Sequence, residues 1–322
     1  MELLPVEMVN EILLQVDKPT LYQAAQVCKQ WRYLAVQQVV SLKTYGDFER
    51  ACTIGDQLSI IKSKLVSHWI NTSLYISCRG GYQHLVQLMI SKGANDWNGG
   101  LYGACRAGHQ KLVQLMITQG ADGWNGGLQD ACQGGHQDLV QLMITQGANH
   151  WNGGLYNACI GGHQDLVQLM ITKGANAWNC GLERACQGGH QALVQLMINQ
   201  GADAWDIGFK AACQGGHQDL VQLMITQGAN DWNDGLKCAC RGGHLDLVQL
   251  MISQGANNWN YALYISCKSG YQNIVQLMIT QGADNWNAGL YGACLGGHQA
   301  LIKLMITHGA SRCRCIKSLA LH

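Results

Sequence analysis

Charge is what this chain has least of. Only 13% of its 322 residues are Asp, Glu, Lys or Arg, about half the usual share of roughly 25%, and the formal net charge is +1. So neutral a balance leaves no electrostatic footprint for nucleic acid or for an anionic membrane. Long apolar runs are missing too: stretches such as "LVSHWI" fall far short of the ~20 residues a membrane-spanning helix needs. The opening "MELLPVEMVNEILL" carries acids where a secretory signal carries a basic region, so a cytoplasmic or nuclear protein is expected. There is no phosphate-cradling Gly motif, because the "GG" pairs recur as helix punctuation. No nucleophile stands beside an unrepeated His, and the few acids sit at helix starts. Neither a catalytic residue nor a cofactor is expected.

Cysteine, by contrast, is plentiful, with 15 residues. The count is odd and no secretory signal accompanies it, which argues against a disulfide framework. Nine of them (Cys78, Cys105, Cys132, Cys159, Cys186, Cys213, Cys240, Cys267 and Cys294) recur at an interval of 27 residues. A residue set by the period belongs first to the packing of the repeat, and small buried thiols in a reducing compartment are expected.

The same 27-residue unit is written nine times, with copies starting at Asn71, Asn98, Asn125, Asn152, Asn179, Asp206, Asn233, Asn260 and Asn287. The leading Asn or Asp suits a helix cap that accepts a backbone N–H two or three residues on. In the copy at Asn98, Leu101, Ala104 and Cys105 share one face of a short first helix. Gly108 then frees the turn. A second helix from about His109 carries two adjoining stripes, Leu112–Leu115–Met116 and Val113–Met116–Ile117, so it has two apolar neighbours to satisfy. Asp138, Asp165, Asp219 and Asp246 fall in the first turn of this helix in their copies, at the positive end of its dipole. Gly120 is placed to close it in the left-handed region. A single copy buries too little to fold, and stacking supplies the shared core.

The pattern "A-C-x-G-G-H-x-D-L-V-x-L-M-I-x-x-G-A-D/N" closely resembles the ankyrin repeat over residues 71–313, and an imperfect tenth copy starts at Asp47. The resemblance implies an all-α solenoid of helix pairs. An ankyrin unit is about 33 residues long. Here the segment that forms the projecting β-hairpin in ankyrins is shortened to a tight "xWNxG" link, with Trp97, Trp124, Trp151, Trp178, Trp205, Trp232, Trp259 and Trp286 in register. The Thr-Pro-Leu-His signature is reduced to Leu. We expect links without strands, and a cost of about 3 kcal/mol or more for Trp178→Ala if that ring is buried.

Residues 1–42 lie outside the period and read as three short amphipathic helices, with Pro5 in a first turn and a break at Asp17–Thr20. The segment resembles an F-box, with Leu4, Pro5, Glu7, Ile12, Leu13, Leu21, Val27 and Trp31 falling where that motif places them. This resemblance implies docking of those residues on a Skp-type linker protein of a cullin–RING ubiquitin ligase. The order, F-box first and short ankyrin copies after, resembles proteins encoded by giant viruses of amoebae, which would place the protein in a host cell. The boundaries expected are 1–42 for the F-box-like domain, 43–70 for a degenerate capping repeat, 71–310 for nine repeats and 311–322 for a tail.

Each copy contains Cys-x-x-x-His, as in Cys105 and His109, which could suggest zinc. The thiol aligns with a buried ankyrin Ala, though, and Tyr82 and Tyr271 replace the His in two copies. The terminal "CRC" with His308 and His322 is a ragged end rather than a built site. No metal is expected. The Trp ladder is read as a packing spacer, not as a stacking platform for single strands.

Copies can be compared with one another. The exposed Gln at 87, 114, 141, 168, 195, 222, 249 and 276 does not vary, whereas the first helix does. The residue after its Leu runs through Tyr75, Tyr102, Gln129, Tyr156, Glu183, Lys210, Lys237, Tyr264 and Tyr291; the residue after its Cys includes Arg79, Arg106 and Arg241. In ankyrins the second of these slots lies on the concave face that binds other proteins. Glu183, Arg184, Lys210, Lys237 and Arg241, with Tyr264 at the shoulder, are therefore the expected target-binding residues. The function expected is a non-enzymatic adaptor that brings an unknown target protein to a cullin ligase. The alternative is a scaffold that sequesters a host protein without ubiquitin chemistry.

Overall fold

The computed structural model describes residues 66–311. The F-box-like segment, most of the capping repeat and the tail lie outside these residues. Among the described residues there are eighteen α-helices and no strand. The chain divides between Gly154 and Leu155 into two compact units. The first contains α1 (Val66–Arg79), α2 (Gln83–Ser91), α3 (Trp97–Ala107), α4 (Gln110–Thr118), α5 (Trp124–Gly134), α6 (Gln137–Thr145) and the start of α7 (Trp151–Gly161). The second contains the rest of α7, then α8 (Gln164–Thr172), α9 (Trp178–Gly188), α10 (Gln191–Asn199), α11 (Trp205–Gly215), α12 (Gln218–Thr226), α13 (Trp232–Gly242) and α14 (Leu245–Ser253). It closes with α15 (Trp259–Ser269), α16 (Gln272–Thr280), α17 (Trp286–Gly296) and α18 (Gln299–Thr307).

Each copy is a helix pair. In the copy of α3 and α4, Leu101, Ala104 and Cys105 are buried, as are Leu112, Val113 and Met116. Leu115 and Ile117 stay half-buried at the edge of the stripe. Gly108 adopts φ 79° and Gly120 φ 108°, values that favour Gly because it has no Cβ to clash. Between pairs, first helix packs on first helix: α1 on α3 and α3 on α5 in one unit, then α9, α11, α13, α15 and α17 in succession in the other. A side chain at Gly181 would run into the Met197 sulfur of its own copy; its absence lets the first helix lie close on the second.

The leading Asn does something other than cap its helix. Every first helix from α3 onward starts at the Trp, so the Trp is its first residue and the Asn its second. True capping falls to the residue before the Trp, where Asp96, Asp231 and Asn285 accept from the N–H of Gly99, Asp234 and Ala288. The Asn reaches forward instead, into the link that follows its copy. Asn179 Oδ1 accepts from the backbone N–H of Asp203 at 2.8 Å and of Ala204 at 3.0 Å, and its Nδ2 donates to Asp203 Oδ1 at 3.1 Å. Asn71, Asn98, Asn125, Asn233 and Asn260 hold the same two backbone donors 24 and 25 residues on. Asp206 takes this position in one copy. It accepts at 3.0 and 3.4 Å, and a carboxylate has no donor to add.

A second tie comes from the turn His. His190 Nε2 donates to the Ile160 carbonyl at 3.0 Å, and His217, His244 and His298 donate to Gln187, Gln214 and Lys268 at 3.1 Å. These are the residues expected from ankyrin turns, and here each joins its copy to the one before.

The Trp rings are half-buried at the first helical position rather than enclosed in the links. The cost of Trp178→Ala should therefore fall below that of a fully buried ring. The Asn contact with the link sets a sharper expectation. Asn125→Ala removes the one oxygen that accepts from the N–H of both Asn149 and His150, donors that water partly re-solvates, and should cost about 1–2 kcal/mol. Asn125→Asp should cost less, because the acceptor stays and the residue 24 on is the neutral Asn149. Urea unfolding of the three chains checks the order.

Candidate functional site

On each first helix the Leu–Ala–Cys stripe is buried, so the residues beside it flank that stripe half-exposed. In the second unit this geometry gathers part of the expected face. Glu183 and Arg184 from α9, Lys210 with Ile207 from α11, and Cys238 from α13 line a groove of about 310 Å³. Glu183, Arg184 and Lys210 thus share one concavity. Lys237 lies beside it through Asp234, Arg241 is exposed further along α13, and Tyr264 belongs to a different cluster on α15.

The two lysines are not free cations. Lys237 Nζ lies 3.0 Å from Asp234 Oδ1, and Lys210 Nζ lies 3.5 Å from Asp234 Oδ2. The hydrogen bond from Lys237 is the main reason the Asp234 carboxyl is held below its usual value of 3.8, and the same bond raises Lys237 above its own. Arg184 is constrained as well. Its guanidinium lies 4.0 Å from the centroid of the Tyr156 ring, a cation–π contact, and its Nη1 donates to Gln187 Oε1. Burial lowers its pKa, and its Nε is a buried donor without a partner. The groove therefore offers a carboxylate at Glu183 and the apolar side of Ile207, while the Arg184 Nε is shut away from solvent.

Tyr264 stacks on Tyr291 with ring centroids 6.3 Å apart at 12°, and meets Tyr261 at 6.0 Å. Sequence comparison between copies passed over Asp234, Ile207, Tyr261 and Cys238. The first three occupy the slot directly after the leading Asn, where other copies have Gly99, Gly126, Gly153 and Cys180. That slot varies as much as the two chosen, and reading it would have found the groove's missing wall. Leu4, Pro5, Glu7, Ile12, Leu13, Leu21, Val27 and Trp31 lie outside the described residues.

The eight buried periodic thiols are held in the protonated, less reactive form. Burial pushes Cys78, Cys105, Cys132, Cys159, Cys186 and Cys267 up to about 12. No group of three or more His, Cys, Asp or Glu among the described residues is gathered as a metal site requires.

Two outcomes follow from these environments. Because the thiolate is the reactive form, brief alkylation of the native chain, read by peptide mapping, should label exposed Cys180 well ahead of the eight buried periodic cysteines. For Asp234 the folded pKa is depressed, so its stabilising effect is present above about 3.8 and is lost as pH falls through the lower folded value. The stability gap between the native chain and Asp234→Asn should accordingly be wider at pH 6 than at pH 2.5 by urea unfolding.

Comparison with known proteins agrees with this architecture. Residues 1–40 match the F-box-like family. The model described as ankyrin repeats (3 copies) matches at 128–207, 182–262 and 209–289. No curated protein matches the chain. Among solved structures, the crystal structure of the human ASB11 ankyrin repeat domain is 22% identical, covering 57% of this chain and 97% of that one with a TM-score of 0.38. The three overlapping ankyrin matches run from 128 to 289, half of the chain, and on that span the chain belongs to the ankyrin-repeat family.

Proposed function

We propose that the chain is a non-enzymatic adaptor of a cullin–RING ubiquitin ligase. Residues 1–42 dock on a Skp-type linker protein through Leu4, Pro5, Glu7, Ile12, Leu13, Leu21, Val27 and Trp31. Residues 43–70 cap the array, residues 71–310 hold a target protein, and 311–322 form a tail. Ubiquitin transfer is left to other subunits of the ligase. The observation that carries this reading is the joining, in one chain, of an F-box-like match to ankyrin repeats. Both are interaction modules, and together they suit a protein with one constant partner and one variable one. No helix among the described residues is long and apolar enough to cross a membrane, and the adaptor acts in the cytoplasm or nucleus, of a host cell if the chain is viral.

The target is held on the variable face of the first helices, at Glu183, Arg184, Lys210, Lys237, Arg241 and Tyr264. The groove beside Glu183 supports this, since it sets a carboxylate beside the apolar side of Ile207.

The test has two arms, both in the full chain. Replacing Leu4 and Pro5 together with Ala should abolish co-purification of the linker protein and cullin while target capture survives. Reversing Lys210 and Lys237 would also break their pairing with Asp234, so a cleaner variant of the face is Glu183→Lys with Ile207→Asp. It should lower target capture at least tenfold and leave linker binding intact. A native chain that brings down no cullin subunit would leave a sequestering scaffold as the function.

A further inference from the structure

Four large apolar side chains are exposed among the described residues: Ile207 (43%), Tyr261 (43%), Tyr291 (51%) and Leu295 (53%). All four lie on first helices of the second unit, and three of them on α15 and α17, which pack on each other. Exposed apolar residues scattered singly need no explanation, whereas a cluster on one face does. Tyr264 lies between Tyr261 and Tyr291 and joins them in one aromatic stripe. Stacking among the tyrosines fixes the rings in place, so a partner would lose little entropy in ordering them.

Helix-borne charge beside this stripe is cationic, and the acid Asp284 lies off the helices, in the link before α17, with its Oδ1 accepting from Asn260 Nδ2 at 3.1 Å. Neither α15 nor α17 contains an acid. Arg241 on α13 and Lys268 on α15 are both exposed, and neither has an ion-pair partner among the described residues. Asp234, the one acid on α13, is already held by Lys210 and Lys237. Arg241 and Lys268 hold the same slot in adjacent copies, so they are spaced by about one helix–helix distance, roughly 8–10 Å. An extended chain of the polyproline II type rises about 3.1 Å per residue and returns every third side chain to the same side, so residues three apart stand roughly 9 Å apart facing one surface.

We infer that the face formed by Arg241, Lys268, Tyr261, Tyr264, Tyr291 and Leu295 binds an acidic, extended segment of the target protein, with carboxylates about three residues apart and a bulky apolar side chain on the tyrosine stripe. This rests on the adaptor reading for its biological setting but not for its chemistry. Stacked tyrosines beside cations also suit the bases and phosphates of a single strand. A phosphate backbone, however, needs a continued track of cations, and the whole chain is close to neutral, with a formal net charge of +1.

The experiment is a selection of displayed random 12-residue peptides on the full chain, followed by affinity measurement on synthetic copies of the winners. Enrichment of acidic peptides with an aromatic or aliphatic anchor is expected. Affinity for them should fall at least tenfold in Arg241→Glu with Lys268→Glu and, separately, in Leu295→Asp, each variant first shown to retain native helicity. It should also weaken as salt rises. Winners without acidic bias, winners bound equally by both variants, or winners displaced by an unstructured oligothymidylate would each overturn the inference. Retained linker-protein binding beside such a failure would leave the adaptor reading standing. Loss of linker binding beside successful peptide capture would overturn the adaptor and not this face.

Discussion

Two backbone N–H groups in each link need an acceptor, and the side-chain oxygen of one Asn supplies it. Link backbone that forms neither helix nor sheet must find its hydrogen bonds elsewhere. In longer ankyrin units a β-hairpin gives that segment partners of its own. The 27-residue copy has no room for one, and Asn179 with its equivalents replaces strand pairing by reaching into the link that follows. The consequence is geometric. Because the Asn sits on the second residue of a first helix, each helix fixes where the next link runs and hence where the next Trp starts its helix. The His tie, donated back to the preceding copy, fixes the other end of the same helix. With both ends held, Leu182, Ala185 and Cys186 meet their neighbours in a constant register, and thiols so enclosed behave as packing.

The variable slots follow from that register. Side chains on the first helices of adjacent copies stand close enough to meet, at the same slot or within three residues of it, and many of them do. Arg106 lies 3.5 Å from Asp130, Lys210 and Lys237 share Asp234, Arg184 covers Tyr156, and Tyr264 stacks on Tyr291. Variation between copies is therefore variation in matched sets, and a residue that differs from its equivalents is not automatically offered to a ligand. What remains for a partner is what the matching leaves over: Glu183, the apolar edge of Ile207, and the tyrosine stripe with its two unpaired cations.

Much of the fold was legible because a period exposes its own constraints. A face that recurs every 27 residues as Leu–Ala–Cys, and again as Leu–Val–Met, has to be buried in every copy, and Gly at fixed offsets from those faces has to turn the chain. The absence of strands followed from counting residues. Of the residues expected on the target face, only some come together. Glu183, Arg184 and Lys210 do share a groove, yet its other wall, from Ile207 to Cys238, came from slots that had not been compared. The role of the leading Asn was misread as a cap, since an Asn near a helix start looks the same whether its oxygen turns back to its own helix or forward by 24 residues.

From sequence alone came the repeat, the all-helical pairs, the buried thiols and the family resemblance at both ends of the chain. Each depends on local spacing, which one dimension records in full. Tertiary structure decided the partners: that Asn179 holds the next link, that His190 holds the previous copy, that Asp234 pairs with Lys210 and that Tyr264 stacks on Tyr291. Those pairings join residues from 24 to 30 positions apart, and only the stacking of one copy on the next determines which side chains face each other.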